Sequence, residues 1–249
     1  MTHLPVDSKP SFQDCFPRFP AHARILDVGC GIGDLTSEMA QYVPQGSVLG
    51  VDICLGSIVQ ASRRFPPTRH PNLRFATANA RSLKLQEKPF DFIVSRNCLH
   101  LVQVPGLAFP AIARNLKRGG TMHVWFQGWG HGLAILETLH QLFERPTWQA
   151  YADNFKLSRF LITPQFCQPW FILCQLHVNQ IQLVEEIIDL PGRGIFLQWL
   201  HFNWPDYWGL IPAFALPRFN QEFLELYPLK TPQGYQVQVV SLVIDATKE

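Results

Sequence analysis

Three glycines, Gly29, Gly31 and Gly33, alternate in "RILDVGCGIGDL", and an acid, Asp52, ends the next apolar run nineteen residues past Gly33. Alternating glycines let the backbone turn tightly and approach a ligand at distances that a Cβ forbids. A carboxylate at the end of the neighbouring strand can accept hydrogen bonds from the 2′ and 3′ hydroxyls of a ribose. Together they predict a site for an adenosine-containing cofactor. The spacing is GxGxG, whereas a dinucleotide site uses GxGxxG to pack a helix beside the pyrophosphate. Asp34 follows at once and puts a negative charge where that pyrophosphate would sit. A nicotinamide dinucleotide is therefore disfavoured, and a ligand without phosphate is expected.

Elements that could position these residues alternate over about a hundred positions, the βαβ pattern of a parallel sheet. Ile25, Leu26 and Val28 read as the first strand, followed by "SVLGVD", "NLRFAT", "FDFIVS", "TMHVWF", "QIQLVEEI" and a last strand inside "TPQGYQVQVVSLVID". Helices are predicted over 33–42, around Ile58, Ala61 and Phe65, over 105–118 with Lys117 and Arg118 in the last turn before Gly119 and Gly120, and over 164–177. Residues 128–163 read as helical and irregular. The segment "FLQWLHFNWPDYWGLIPAFALPRF" is one-third aromatic against 12% for the chain, and all seven tryptophans lie at or after Trp125.

With 249 residues, 47% hydrophobic but only 16% charged, the chain can bury a sizeable core and has few charges to cover its surface. An apolar ligand, a homodimer contact or a lipid-facing patch would each account for that. A net charge of +2 with scattered Lys and Arg gives no footprint for nucleic acid. The six cysteines show neither CxxC nor zinc spacing, so small buried hydrophobes in a reduced, cytoplasmic chain are expected, with no metal. No signal peptide or apolar run long enough for stable membrane insertion is read.

At these motifs the chain resembles the class I S-adenosylmethionine-dependent methyltransferases, whose first motif is an acid, a hydrophobic residue and GxGxG, as in "DVGCGIG". "VLGVDICLGSIVQASRR", "FATANARSL", "FDFIVSRNCLHLV" and "IARNLKRGGTMHVW" are similar, in order, to four further motifs of that family. More loosely, "FLQWL" and "ELYPLKTPQGYQVQVVSLVIDA" resemble the trans-aconitate and malonyl carrier-protein methyltransferase group, in which helices cover the substrate. The resemblance implies an α/β, doubly wound, Rossmann-like sheet of seven strands, the last antiparallel, with a helical substrate cap. It implies a single domain over 1–249, with a leader at 1–23, a cofactor-binding core at 24–127 and cap insertions at 128–163 and 191–229.

Carried over by residue, the resemblance puts Asp27, Gly29, Gly31 and Gly33, with Cys30 between them, around the methionine part of S-adenosylmethionine. It puts Asp52 on the ribose, Ile53 and Ala80 against the adenine, and Asn79, where the family usually has an acid, at the exocyclic amine. Arg96 and Asn97 open the loop nearest the sulfonium. Methyl transfer needs its partners held in line and dry, with a base only for a nucleophile that carries a proton. "SRNCLH" lacks the Pro-Pro-aromatic run of nucleic-acid amino methylases, and no acid cluster suggests Mg²⁺.

His100 is the first candidate base. Trp129, His131, Arg193, His201, Trp204 and Tyr207 are candidates for contact with a small-molecule substrate, expected to be apolar or aromatic and shielded by the aromatic segment. The alternative expectation is a methyltransferase-like partner protein that binds the cofactor without turnover.

Overall fold

The computed structural model describes residues 18–152 and 159–249. Most of the expected leader, Cys15 included, and positions 153–158 of the first expected insertion lie outside the described residues. The strands are β1 (Arg24–Val28), β2 (Ser47–Asp52), β3 (Leu73–Thr77), β4 (Phe90–Arg96), β5 (Leu116–Gln127), β6 (Leu176–Pro191), β7 (Lys230–Thr231) and β8 (Gly234–Lys248). The helices are α1 (Asp34–Tyr42), α2 (Leu55–Arg64), α3 (Pro105–Ala113), α4 (Leu133–Phe143), α5 (Pro146–Ala152), α6 (Pro164–Cys174), α7 (Gly192–Asn203), α8 (Pro205–Trp208) and α9 (Leu216–Leu226).

The sheet order is β3-β2-β1-β4-β5-β8-β6, with the two-residue β7 paired to β8. Strands β1 to β5 are parallel. β8 is antiparallel to β5, from Thr121 opposite Thr247 to Gln127 opposite Ser241. The chain thus has the expected α/β, Rossmann-like architecture with an antiparallel last strand. Strand order reverses between β1 and β4, and such a reversal leaves a crevice at the carboxyl ends of the two strands.

The chain divides into two compact units, one of residues 18–129, 159–184 and 241–249, the other of 130–152 and 185–240. In the first, alternate side chains of the strands serve opposite faces. Leu26, Val28, Leu49, Val51 and Ile93 join a core with Phe109 and Ile112 of α3 and Phe171 of α6, whereas Ile25, Val48 and Val94 pack with Met39 and Ala40 of α1. Burial on both faces explains why β1 and β2 read as nearly unbroken apolar runs.

α3 ends earlier than the sequence predicts. Asn115 Nδ2 donates to the carbonyl of Ala111 at 2.8 Å, and Lys248 Nζ, at the far end of the chain, donates to the carbonyls of Ala113 and Leu116 at 2.9 and 2.8 Å. These donors close the helix end, and Leu116 begins β5 opposite Phe90. Lys117, expected in a helical last turn, instead pairs with Asp91. α6 likewise stops at Cys174, because Gln175 takes a left-handed φ of 54°.

The second unit has a largely aromatic core. Trp208 meets Phe223 edge to face at 5.1 Å, Trp148 meets Phe219 the same way at 5.1 Å, and Phe196 stacks on Tyr235 at 4.5 Å. Two of the buried indoles keep hydrogen bonds: Trp148 donates to Glu222 at 2.9 Å and Trp208 to Asn220 at 2.8 Å. Among the described residues, no helix is long and apolar enough to cross a membrane.

One buried group in β1 titrates where stability can be measured. Burial pushes the Asp27 carboxyl up to about 7, against the Thr36 hydroxyl that donates to it at 2.7 Å and with added repulsion from Asp52. Unfolded, the same group titrates near 3.9. Between these values the folded chain holds a proton that the unfolded chain releases, so this group's contribution is complete at low pH and is lost as pH rises toward 7. Denaturant titrations at pH 5 and pH 8 should show Asp27→Asn removing this decline and gaining at most about 4 kcal/mol over the parent at pH 8. A constant stability difference across that range would assign the decline to other groups.

Candidate active site

Val28 of β1 pairs with Val51 of β2, so the glycine loop and Asp52 leave the sheet at one level. The N–H groups of Gly29 and Cys30 both donate to the Val51 carbonyl, at 2.8 and 3.1 Å, and fold the loop over the end of β2. Gly29 has a φ of 81°, and a Cβ there would fall 2.3 Å from Cβ and Sγ of Cys98. Gly31, at φ 54°, has nothing within 4 Å of the place where its Cβ would point. Bare backbone is thus open to a ligand at Gly31, while Gly29 is spent on close packing.

The Asp52 carboxylate accepts at both oxygens, from Gly31 N–H to Oδ2 at 2.9 Å and from Cys54 N–H to Oδ1 at 2.8 Å. Two amides hold it in one orientation, and each oxygen retains a lone pair for a ligand. A cleft of about 430 Å³ lies here, lined by Val28, Gly29, Gly31, Val51, Asp52, Ile53, Ala78, Asn79, Ala80, Arg81, Asn97, Cys98, Leu101, Val102 and Gln103. All of these residues belong to the first unit.

Of the expected cofactor residues, Gly29, Gly31, Asp52, Ile53, Asn79, Ala80 and Asn97 line this cleft. Asn79 Oδ1 already accepts from Arg81 N–H at 2.9 Å, capping the short 3₁₀ turn Ala80–Ser82, and has one lone pair left. Asp27 does not line the cleft; it is buried against Thr36. Cys30 points toward Gly50, and burial pushes its thiol up. Gly33 is buried at the start of α1. Arg96 lies over the Trp125 ring at 5.7 Å. Asp34 is not a bare charge, since Arg64 Nη2 pairs with it at 2.6 Å.

The expected catalytic and substrate residues lie elsewhere. His100 is only 3% exposed, on the 3₁₀ turn Leu99–Leu101, and its neighbour Leu101 lines the cleft. Trp129 is exposed, with its N–H donated to the Ile162 carbonyl at 3.0 Å. In the second unit, Trp204 and Tyr207 are fully buried in the aromatic core. His131 Nδ1 accepts from Val240 N–H at 3.2 Å, and its ring stacks on Trp204. His201 is half-buried beside Trp208, and Arg193 is exposed at the start of α7. Trp204 and Tyr207 thus have a packing role where substrate contact was expected. Sequence reasoning missed Ala78, Arg81, Cys98, Leu101, Val102 and Gln103; their signal is position, just past the carboxyl ends of β3 and β4.

The titratable groups of the described residues form no cluster of three or more His, Cys, Asp or Glu suited to a metal. Burial, reinforced by the charges of Asp52 and Asp27, pushes the Cys98 thiol up to about 12.

Residues 25–120 match a family described as a methyltransferase domain. The chain is 32% identical over 113 residues to trans-aconitate 2-methyltransferase of Methylobacterium nodulans, covering 45% of this chain and 42% of that protein. It is 29% identical over 101 residues to malonyl-[acyl-carrier protein] O-methyltransferase of a Paenibacillus species, covering 40% and 37%. The chain therefore spans about two-fifths of the length of these relatives. The solved YcgJ protein of Bacillus subtilis shares the fold, with a TM-score of 0.63 at 20% identity over 92% of this chain and 93% of that one. Family match, strand order and glycine loop together make residues 25–120 similar to the methyltransferase domains of that family.

Proposed function

We propose that the protein transfers a methyl group from S-adenosylmethionine to a small-molecule acceptor with an apolar or aromatic body, by in-line displacement. The observation that carries this reading is the Asp52 carboxylate, fixed by two amides beside the open backbone of Gly31. That arrangement fits the cofactor: Asp52 takes the ribose hydroxyls, Ile53 and Ala80 flank the adenine, and Asn79 accepts from the exocyclic amine. When bound, the cofactor would supply an electrophilic methyl on a sulfonium, whose loss to the acceptor's nucleophile would leave a neutral thioether.

The residues of the chain orient and exclude. Leu101 and Val102 give the cleft an apolar wall, which supports an apolar acceptor and keeps water from the reacting atoms. Cys98, with its thiol pushed up to about 12, stays protonated and does not compete as a nucleophile. His100 is buried and stands outside the cleft lining, so we assign the rate to positioning and desolvation rather than to this imidazole. A second reading, an acceptor carboxylate paired with Arg81, draws on Arg81 as the one cation among the described lining residues and on the acids named for the two relatives.

Isothermal calorimetry with S-adenosylhomocysteine and with NAD tests the cofactor. The first should bind and the second should not, and Asp52→Ala should weaken the first by roughly 1.5–3 kcal/mol, the cost of losing hydrogen bonds to a charged group. Unchanged affinity would remove Asp52 from the ribose. Turnover of labelled cofactor on a panel of phenols, apolar amines and small acids should rank the apolar members first, whereas activity confined to acids, and lost in Arg81→Ala, would favour the second reading. On the best acceptor, His100→Ala should keep the parent's pH–rate profile from pH 6 to 9. A lost ionisation with a fall of 10²-fold or more would make the imidazole a base after all.

A further inference from the structure

Two stretches of the first unit, 98–113 and 160–184, contain no Asp, Glu, Lys or Arg. They supply α3 and α6, which pack together, yet several of their largest side chains stay in water. Leu101 is 52% exposed, Val104 51%, Leu107 52% and Phe166 61%. These residues form a chain of neighbours that starts at the cleft. Leu101 and Val102 line it, Leu107 N–H donates to the Val104 carbonyl at 3.0 Å, and Gly106 lies against the Trp170 indole. The Phe166 ring then meets Trp170 edge to face at 5.7 Å. An exposed apolar path therefore leads from the cleft wall across α3 to α6.

Val104 adds an independent sign. It is a β-branched residue held at φ 54°, ψ 68°, a left-handed conformation that costs such a residue about 1–2 kcal/mol. The turn holds its side chain outward, so burial within the chain does not offset that cost. Strain with no packing return is a mark of function when it borders a site.

We propose that this path is a groove for a long hydrocarbon tail on the acceptor, whose reactive head enters the cleft past Leu101. The inference rests on the methyl-transfer reading and narrows its acceptor to an amphiphile. Three observations favour a tail: the path is continuous with the cleft where the methyl must be met, it is free of charge along both stretches, and it is built of alkyl and aromatic surface. An anionic bilayer would call for Lys or Arg around the patch, and neither stretch has any.

The probe is cis-parinaric acid, a fluorescent fatty acid, titrated into the full chain with S-adenosylhomocysteine present. One equivalent should bind, and Leu107→Asp and Phe166→Asp should each weaken it by about tenfold or more, since each replaces buried contact with a charge. Both positions are exposed and outside the cleft lining, so calorimetric affinity for S-adenosylhomocysteine and the thermal midpoint should stay as in the parent. A wild-type chain that binds S-adenosylhomocysteine but not the probe, or variants that bind the probe as the parent does, would overturn the groove and leave the cofactor reading intact. Loss of S-adenosylhomocysteine binding in the parent would overturn the cofactor reading itself. Co-sedimentation with phosphatidylcholine vesicles, or a dimer on gel filtration that Leu107→Asp dissolves, in the absence of probe binding, would give the patch to a membrane or to a second copy and refute the tail.

Discussion

Two amide hydrogens, those of Gly31 and Cys54, fix the carboxylate of Asp52, and the geometry of the cleft follows from them. The first ties the loop after β1 to the end of β2; the second turns the chain back toward α2. Gly31 sits at a left-handed φ that a Cβ would strain, and the close approach of Gly29 to Cys98 leaves no room for a Cβ between the loops after β1 and β4. The parallel sheet supplies the platform: with β1 buried between β2 and β4, the loops at their carboxyl ends have nowhere to go but over the switch point.

The polar demands of the site are met cheaply. Among the described residues of the lining, Asp52 and Arg81 are the charged ones, and the thiol of Cys98 is kept neutral by burial. A site with so few ionised groups offers few partners to a charge buried in it, so most of the surface that a ligand presents to these walls should be apolar. The acid in β1, Asp27, is a different matter. It sits below the loop with Thr36 as its hydrogen-bond partner, and its negative charge in that place is a cost to the fold that the loop geometry tolerates.

Much of this was legible in the sequence because it is contiguous. The glycine loop, β1, β2, β4 and Asp52 each lie within a few residues, and strands buried on both faces announce themselves as apolar runs. The end of α3 was not legible, since one of its closing donors, Lys248, comes from more than a hundred residues away. The setting of His100 was hidden for another reason: on a single 3₁₀ turn, one residue's rotation decides whether the imidazole or Leu101 meets the cleft. The aromatic segment misled because dense aromatic residues read the same whether they face a ligand or one another. Its unit gathers two separated stretches of chain, and Trp148, Phe196, Trp208, Phe219 and Phe223 are what hold them together.

The place of β8 bears on how the chain is made. It is last in sequence yet sits between β5 and β6, and its Lys248 closes the end of α3. Until β8 is in place, β5 has an open edge and β6 no partner in this sheet. Both present unpaired N–H and C=O groups beside apolar side chains, the surface that seeds association between nascent chains. The parallel strands can assemble early, but the sheet is sealed in a single late step. Docking of β8 therefore covers the open edge of β5 and gives β6 its partner in one step.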